Sequence, residues 1–572
     1  MLPGIKSQYI LKSIFKNINE KILLSLIKHN KNLKKRLDIT LNDYLLYFQI
    51  ELDLIPIQVD NNEKSPFIKL HENNKEFFYI YFNDNNNKRI KRNYITKNDK
   101  ISSIKIIIHC ENKNFEKLFK NCKCVQEINF TKFNRNNIYD IYGMFEGCKN
   151  LKKLNISNFK TENVNNMKNL FSGCQSLEEI NIYNFNTKNV KDMSNMFENC
   201  SSLEKIYISN FNTINVNDMS NMFSGCSKLE EINFSKANTI NVTNMNSLFK
   251  NCSKLSELIM NLNTKNVTNM KSLFYKCSLL EEIDLSNFIT SKVTDMSYLF
   301  FGCSSLKELN LTKFDTSHVR DMSNLFNGCS FLKELNLSNF NTKNVTNMSW
   351  MFKSCSYLNK LNIDNLITKN VTDMSGMFYD CPLFELNLSH LNIEKVTDLR
   401  CIFFGCRNLK NIVLFKNKSG SIKDMSWMFS KCTSLEEINF SSFNTSNVTN
   451  MSYMFKECHY LKKVNISEFN TENVSDMKYM FSECDALERL KIGNFNTQNV
   501  VDMSYMFNKC YSLVHLELPD IDENIDVSYM FSDCGKEVRN MMRFFRNLNE
   551  NAYKDESNDL PAKYDYEDVF VH

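Results

Sequence analysis

The sequence predicts an α/β repeat solenoid, in which like units of one short helix and one short parallel strand are piled on each other. Three observations carry this reading. Phenylalanine stands three residues before cysteine seventeen times, from Phe119–Cys122 to Phe531–Cys534. The seventeen cysteines are 26 residues apart, except for two gaps of 25 and a last one of 24. Between them runs a recurrent apolar pattern, and a period of this length marks stacked supersecondary units rather than a globule with one core.

Each element of the unit follows from its spacing. In the unit opening at Met193, the apolar residues Met193, Met196, Phe197 and Cys200 fall at offsets 0, 3, 4 and 7, one face of about two helical turns. Ile206 and Ile208 alternate around Tyr207 with the period of a strand. Phe211 and Val216 then close a return loop before Met219. The residue ahead of the first apolar position is Asp or Asn in every unit, Asp192, Asp218, Asp295 and Asn450 among them. Either side chain accepts a hydrogen bond from an unpaired helix N–H, so the column is expected to cap helices.

Seventeen of the twenty cysteines share one column, with Cys110, Cys124 and Cys401 outside it. In-register side chains point the same way, so the expectation is reduced thiols buried as small hydrophobes. Zinc requires clustered ligands at short Cys-x₂₋₄-Cys spacing. Cys122 and Cys124 are closer than that, so no metal and no cofactor is expected.

The strings KVTDMSYLFFGCSSLKELNLTKFDTSHV (292–319) and NVTNMSYMFKECHYLKKVNISEFNTENV (447–474) resemble the 26-residue leucine-rich repeat of BspA-like surface proteins. The likeness covers roughly residues 113–534. It implies a leucine-rich-repeat-like, right-handed solenoid with a parallel sheet on one side, and a role in adhesion or interaction at cell surfaces.

Five segments are expected. Residues 1–60 read as a basic helical head, with nine Lys/Arg and one acid through Arg36 and apolar stripes at Ile10–Phe15 and Ile22–Ile27. Leu2-Pro3, Ile14-Phe15 and Lys21-Ile22-Leu23-Leu24 are similar to the start of an F-box, which would imply docking to a ubiquitin-ligase scaffold. The same stripes suit a helical cap, a dimerisation element or contact with anionic membrane. Residues 61–112 read as a β cap, with 76–82 and 89–95 as a hairpin and Ile104, Ile106 and Ile108 as a zeroth solenoid strand. Residues 113–534 form about 17 repeats. Val538, Met541, Met542, Phe545 and Leu548 place a capping helix at 535–549, and 550–572, with seven acids and two lysines, read as a disordered acidic tail.

Composition bounds the function. A net charge of +5 on 572 residues leaves no nucleic-acid footprint. No run approaches the twenty apolar residues of a membrane span, and the first thirty residues lack the apolar core and cleavage site of a signal peptide. With many unpaired-looking cysteines this points to a cytoplasmic protein, the cell surface being the alternative. The Asn-Val-Thr sequons at Asn241, Asn266, Asn344, Asn370 and Asn447 read as by-products of the repeat. No activated nucleophile, phosphate loop or convergent histidines are present, so the chain is read as non-enzymatic.

Function is therefore expected on the sheet face. Its central column is Asn in ten of sixteen strands, Asn181, Asn233, Asn310 and Asn336 among them, and stacked amides can bond along the pile. Tyr207, Asp284 and Lys491 interrupt it. Two residues earlier stand Glu179, Glu231, Glu257, Glu282, Glu308, Glu334, Glu385 and Glu437. An acidic stripe attracts a basic protein partner and disfavours nucleic acid. The same stripe also reads as a solvated face that keeps the sheet soluble.

Overall fold

A computed structural model describes residues 48–554, except 60–62, 84, 86–87, 110–111, 113–114, 136, 209, 417, 543–547 and 549, together with Lys35 and Leu46. The chain divides into two compact units, one of residues up to Asp192 with Cys200–Asn215, the other of Met193–Asn199 with Val216 onward.

The first unit opens with a five-stranded sheet in the order β3-β5-β1-β6-β7, where β1 is Ile50–Pro56, β3 Phe78–Phe82, β5 Ile104–Ile108, β6 Val125–Lys132 and β7 Lys153–Asn155. β2 (Ser65–Pro66) pairs separately with β4 (Tyr94–Ile95). Within the helical head expected through residue 60, Ile50–Pro56 form strand β1 instead, and its F-box-like part, residues 1–36, lies outside the described residues save Lys35. The expected hairpin is also corrected. β3 pairs antiparallel with β5, and residues 89–95 form no strand ladder with β3, meeting its backbone at the isolated bridge Ile80–Ile90. β5 runs antiparallel to β1, so Ile104, Ile106 and Ile108, all buried, cap the stack instead of starting it. β6 and β7 are the first parallel pair, with Asn129 beside Asn155.

The second unit is a β-solenoid, and the coil from Asp321 to Thr346 shows how it is built. Met322, Leu325, Phe326, Cys329, Leu332, Leu335, Leu337, Phe340 and Val345 all point inward and are buried. The phenyl rings of Phe249, Phe274, Phe300, Phe326, Phe352 and Phe378 stack at 5.6–5.8 Å, nearly parallel, down the interior. Strand Glu334–Asn336 pairs in parallel with Lys360–Asn362. Similar pairs recur, such as Glu231–Phe234 with Glu257–Met260 and Glu437–Asn439 with Lys463–Asn465.

The Met-x-x-Leu-Phe-x-x-Cys segment is not helical, which corrects the expected helix-plus-strand unit. Asn324 and Gly328 adopt left-handed backbone, with φ of 57° and 74°. A left-handed residue every fourth position ends each incipient turn. Alternate N–H groups then face the next coil: those of Met322, Asn324, Phe326 and Gly328 donate to the carbonyls of Asn347, Ser349, Met351 and Lys353 at 2.8–3.0 Å. The offsets 0, 3, 4 and 7 arise from successive four-residue turns, a period close enough to 3.6 to imitate a helix.

Asp321 accordingly caps no helix. Its Oδ1 accepts the Ser323 N–H at 2.8 Å, closing a local turn, and its backbone bridges to Asp295 and Asn347 in the neighbouring coils. The return loop is held by a threonine column that the sequence reading passed over. Thr342 is fully buried; its hydroxyl donates to the Ile367 carbonyl at 2.9 Å and accepts the Ile367 N–H at 2.7 Å.

After the last coil comes α1, Lys536–Met542, with Val538 fully buried. Glu550–Tyr553 then form a single 3-10 turn, so the expected tail is ordered at its start. The N–H groups of Tyr529 and Phe531 donate to the carbonyls of Asn551 and Ala552 at 2.8 and 2.9 Å. Residues 555–572 lie outside the described set.

Candidate functional site: the strand face

Strand residues alternate between interior and solvent, and this places the expected columns outside. Glu179, Asn181, Tyr207, Glu231, Glu257, Glu282, Asp284, Glu308, Asn310, Glu334, Asn336 and Lys491 are exposed, and Asn233 is half-buried.

The asparagine column proves largely local in its bonding. The Oδ1 atoms of Asn181, Asn233, Asn310 and Asn336 each accept the N–H two residues on, at 3.0–3.2 Å. Asp284 does the same with Ser286 at 2.9 Å, and these hydrogen bonds from the Ser286 N–H and hydroxyl lower its carboxyl pKa. The expected amide ladder is seen between Asn129 and Asn155 at 2.8 Å and between Asn439 and Asn465 at 3.0 Å. Short side chains of this kind bond their own turn readily, so the column chiefly ends strands. Lys491 is tied to its register neighbour Glu517 at 2.7 Å.

The glutamate column is not uniformly acidic. Glu127 faces Lys153 at 3.4 Å, Glu334 is ion-paired to Lys360, and Glu437 is paired to Lys463 at 2.5 Å. Glu179 lies in register with Lys205. Against that alternation, Glu231 sits directly beside Glu257, and Glu282 and Glu308 hold the corresponding sequence positions in the next two coils, both exposed, in segments without an assigned strand. None of these four carboxylates has an ion-pair partner among the described residues. Like charges opposed on a sheet repel, so this stretch carries successive unpaired carboxylates on a face where Glu127, Glu334 and Glu437 are paired with lysine.

The cysteine column is closed to chemistry. All nineteen described cysteines are free and buried. From Cys148 on, the column thiols bond back to the preceding coil, as Cys303 Sγ does to the Phe274 carbonyl at 3.2 Å and Cys148 Sγ to the Phe119 carbonyl at 3.0 Å. Burial pushes the Cys303 thiol up to about 12. Thiols so shielded persist in reducing and oxidising surroundings alike, which removes the argument from cysteine count to compartment. No group of His, Cys, Asp or Glu able to hold a metal occurs among the described residues. No helix among them is long and apolar enough to cross a membrane.

On the opposite, turn side a second feature went unread in the sequence. Trp427, Tyr453, Tyr479, Tyr505 and Tyr529 stack in adjacent coils at 3.8–4.8 Å. All five occupy the left-handed position, at φ of 54–59°, where other coils place residues such as Asn221, Ser247 and Gly376.

Short parallel strand pairs recurring along the coils, together with in-register apolar columns, define a solenoid of the leucine-rich-repeat type. The chain belongs to the family described as Mycoplasma protein of unknown function, DUF285, which matches residues 113–234, 218–309, 303–415 and 423–549. Among solved structures it is similar to a leucine-rich repeat protein from Eubacterium ventriosum, with 15% identity over 75% of this chain and 85% of that one, at a TM-score of 0.25. It is also similar to the functional domain of InlJ from Listeria monocytogenes, described as including a cysteine ladder, with 14% identity over 70% of each chain and a TM-score of 0.17. No curated protein matches the chain.

Proposed function

We propose that the protein is a non-enzymatic interaction scaffold that receives a basic protein partner on the strand face of its second unit. The observation that carries this is the run Glu231, Glu257, Glu282 and Glu308, four stacked carboxylates without an ion-pair partner among the described residues. A fold that pairs this column with lysine at Lys153, Lys360 and Lys463 has an evident means of neutralising it. Leaving it charged raises the local concentration of cationic partners and speeds their encounter. Nucleic acid would be repelled by the same field. The ligase-adaptor reading rests on residues 1–36 and the adhesin reading on family resemblance; no geometry among the described residues favours either.

The test is affinity purification on the full chain, comparing wild type with Glu231→Lys/Glu257→Lys/Glu282→Lys/Glu308→Lys. Partners held by wild type, released by salt and missing from the variant support the reading. An identical set on both baits overturns it.

A further inference from the structure

Beside the acidic run, the turn that leads into the strand carries apolar side chains in water. Leu279 is 43% exposed, Phe331 51% and Tyr357 55%. All three occupy the second position after the column cysteine, where other coils put Ser305, Ser434 and Ser512. The coil therefore has no need of an apolar residue there. Phe331 and Tyr357 stack ring on ring at 5.3 Å, forming one exposed aromatic step. Exposed apolar clusters rimmed by charge are characteristic of docking surfaces.

Charge and spacing together choose the occupant. Leu279 and Phe331 stand three positions before Glu282 and Glu334, and Tyr357 three before Lys360, which is paired to Glu334, so the two columns are separated by up to about 10 Å of extended chain, the width of one α-helix. Along the stack the column steps by about 4.8 Å per coil. A helix lying across the strands repeats its side chains about every 5.4 Å, close to that step. An extended segment repeats one face about every 6.7 Å and falls out of step within two or three coils.

We infer that this surface binds a basic amphipathic α-helix of the partner, laid along the coil stack, its Lys/Arg side chains over Glu257, Glu282 and Glu308 and its apolar side chains against Leu279, Phe331 and Tyr357. The inference rests on the charge reading above and adds the partner's secondary structure and its apolar anchors.

Two fluorescent 18-residue peptides of identical Lys/Leu/Ala composition test it on the full chain by anisotropy, one patterned as an amphipathic helix and one alternating as a strand. The expected result is helix-patterned binding tighter by at least about tenfold, roughly one hot-spot contact. Phe331→Ser/Tyr357→Ser should remove about that factor for the helical peptide alone. Glu257→Gln/Glu282→Gln/Glu308→Gln should weaken both peptides and flatten the salt dependence. Equal binding of the two isomers, no binding of the helical one, or indifference to the aromatic changes overturns the inference. If the aromatic changes are silent but the glutamine changes weaken binding, the charge reading stands alone. If the glutamine changes are silent too, both fall.

Discussion

The indole of Trp350 fills the space in which Gly376, one coil on, would carry a side chain. A Cβ placed at Gly376 would stand 2.1 Å from Cε3 of that ring, and the glycine backbone is itself left-handed, at φ +56°. Gly376→Ala should therefore cost about 2 kcal/mol or more, combining left-handed strain with a steric clash. Denaturant unfolding checks the loss. Adding Trp350→Ala should recover part of it, because the two positions share one volume. Equal losses with and without the indole would show that backbone strain alone is responsible.

Thr342 joins two coils through both ends of one hydroxyl, bonding the N–H and the carbonyl of Ile367. Thr342→Val keeps the shape and strands the partly buried N–H and carbonyl of Ile367. The expected destabilisation is about 2–4 kcal/mol, one to two for each unpaired group. Thr342→Ser should retain most of the stability, and hydrogen exchange at Ile367 should quicken only in the valine variant.

The thiols make the fold sensitive to alkali. A buried thiol near 12, as at Cys303, Cys252 and Cys355, lies above the ordinary 9.0 of the unfolded chain. The unfolded state thus loses its protons first, and the stabilising contribution, complete below pH 9, is lost as pH rises toward 12. Each such thiol steepens the fall by about 1.4 kcal/mol per pH unit. Equilibrium unfolding across pH 8–11 should show a drop far steeper than one group can produce, and Cys303→Ala should lessen it.

Asp398 works in a lower window. Burial raises its carboxyl to about 6, with Asp373 and Asp424 in adjoining coils adding to the rise and Arg400 opposing it. A folded-state value above the unfolded one means the stabilising contribution is present at pH 4 and lost by pH 6–7. Asparagine fills the same column at Asn347, where its Oδ1 makes the same turn bond to Ser349 at 2.9 Å. Asp398→Asn should raise the thermal midpoint at pH 7 and flatten its change between pH 4 and 6. An unchanged profile would mean the carboxylate is solvated.

Repulsion along the acidic run predicts a trade between stability and binding. Glu257→Gln/Glu282→Gln should raise Tm at low ionic strength, with the gain fading at high salt as screening removes the repulsion. A midpoint insensitive to salt in both proteins would show that the carboxylates do not feel each other.

The solenoid was legible because its period and inward columns are written in every coil. Its unit was misread because Met322, Leu325, Phe326 and Cys329 have helical spacing while Asn324 and Gly328 forbid a helix. Asn or Gly at four-residue intervals (Asn199, Gly225 and Gly302 are others) was the available signal. β1 was missed because its partners, Ile104–Ile108 and Val125–Lys132, are distant in sequence, and pairing over such separations leaves no local mark. The acidic column was read from its glutamates alone. Only register showed Lys153, Lys205 and Lys360 in the same line and so marked out the four successive carboxylates without an ion-pair partner among the described residues.

The turn-side ladder has a direction. On the turn side the N–H groups of Met322, Asn324, Phe326 and Gly328 donate toward the higher-numbered coil, while those of Arg320 and Phe331 donate to Thr294 and Ser304 in the lower-numbered one. The series of forward donors ends at the last coil. There the carbonyls of Asn551 and Ala552 meet the final donors, in a segment followed by aspartate and glutamate. A chain cut before Glu550 would leave the N–H groups of Tyr529 and Phe531 without these acceptors.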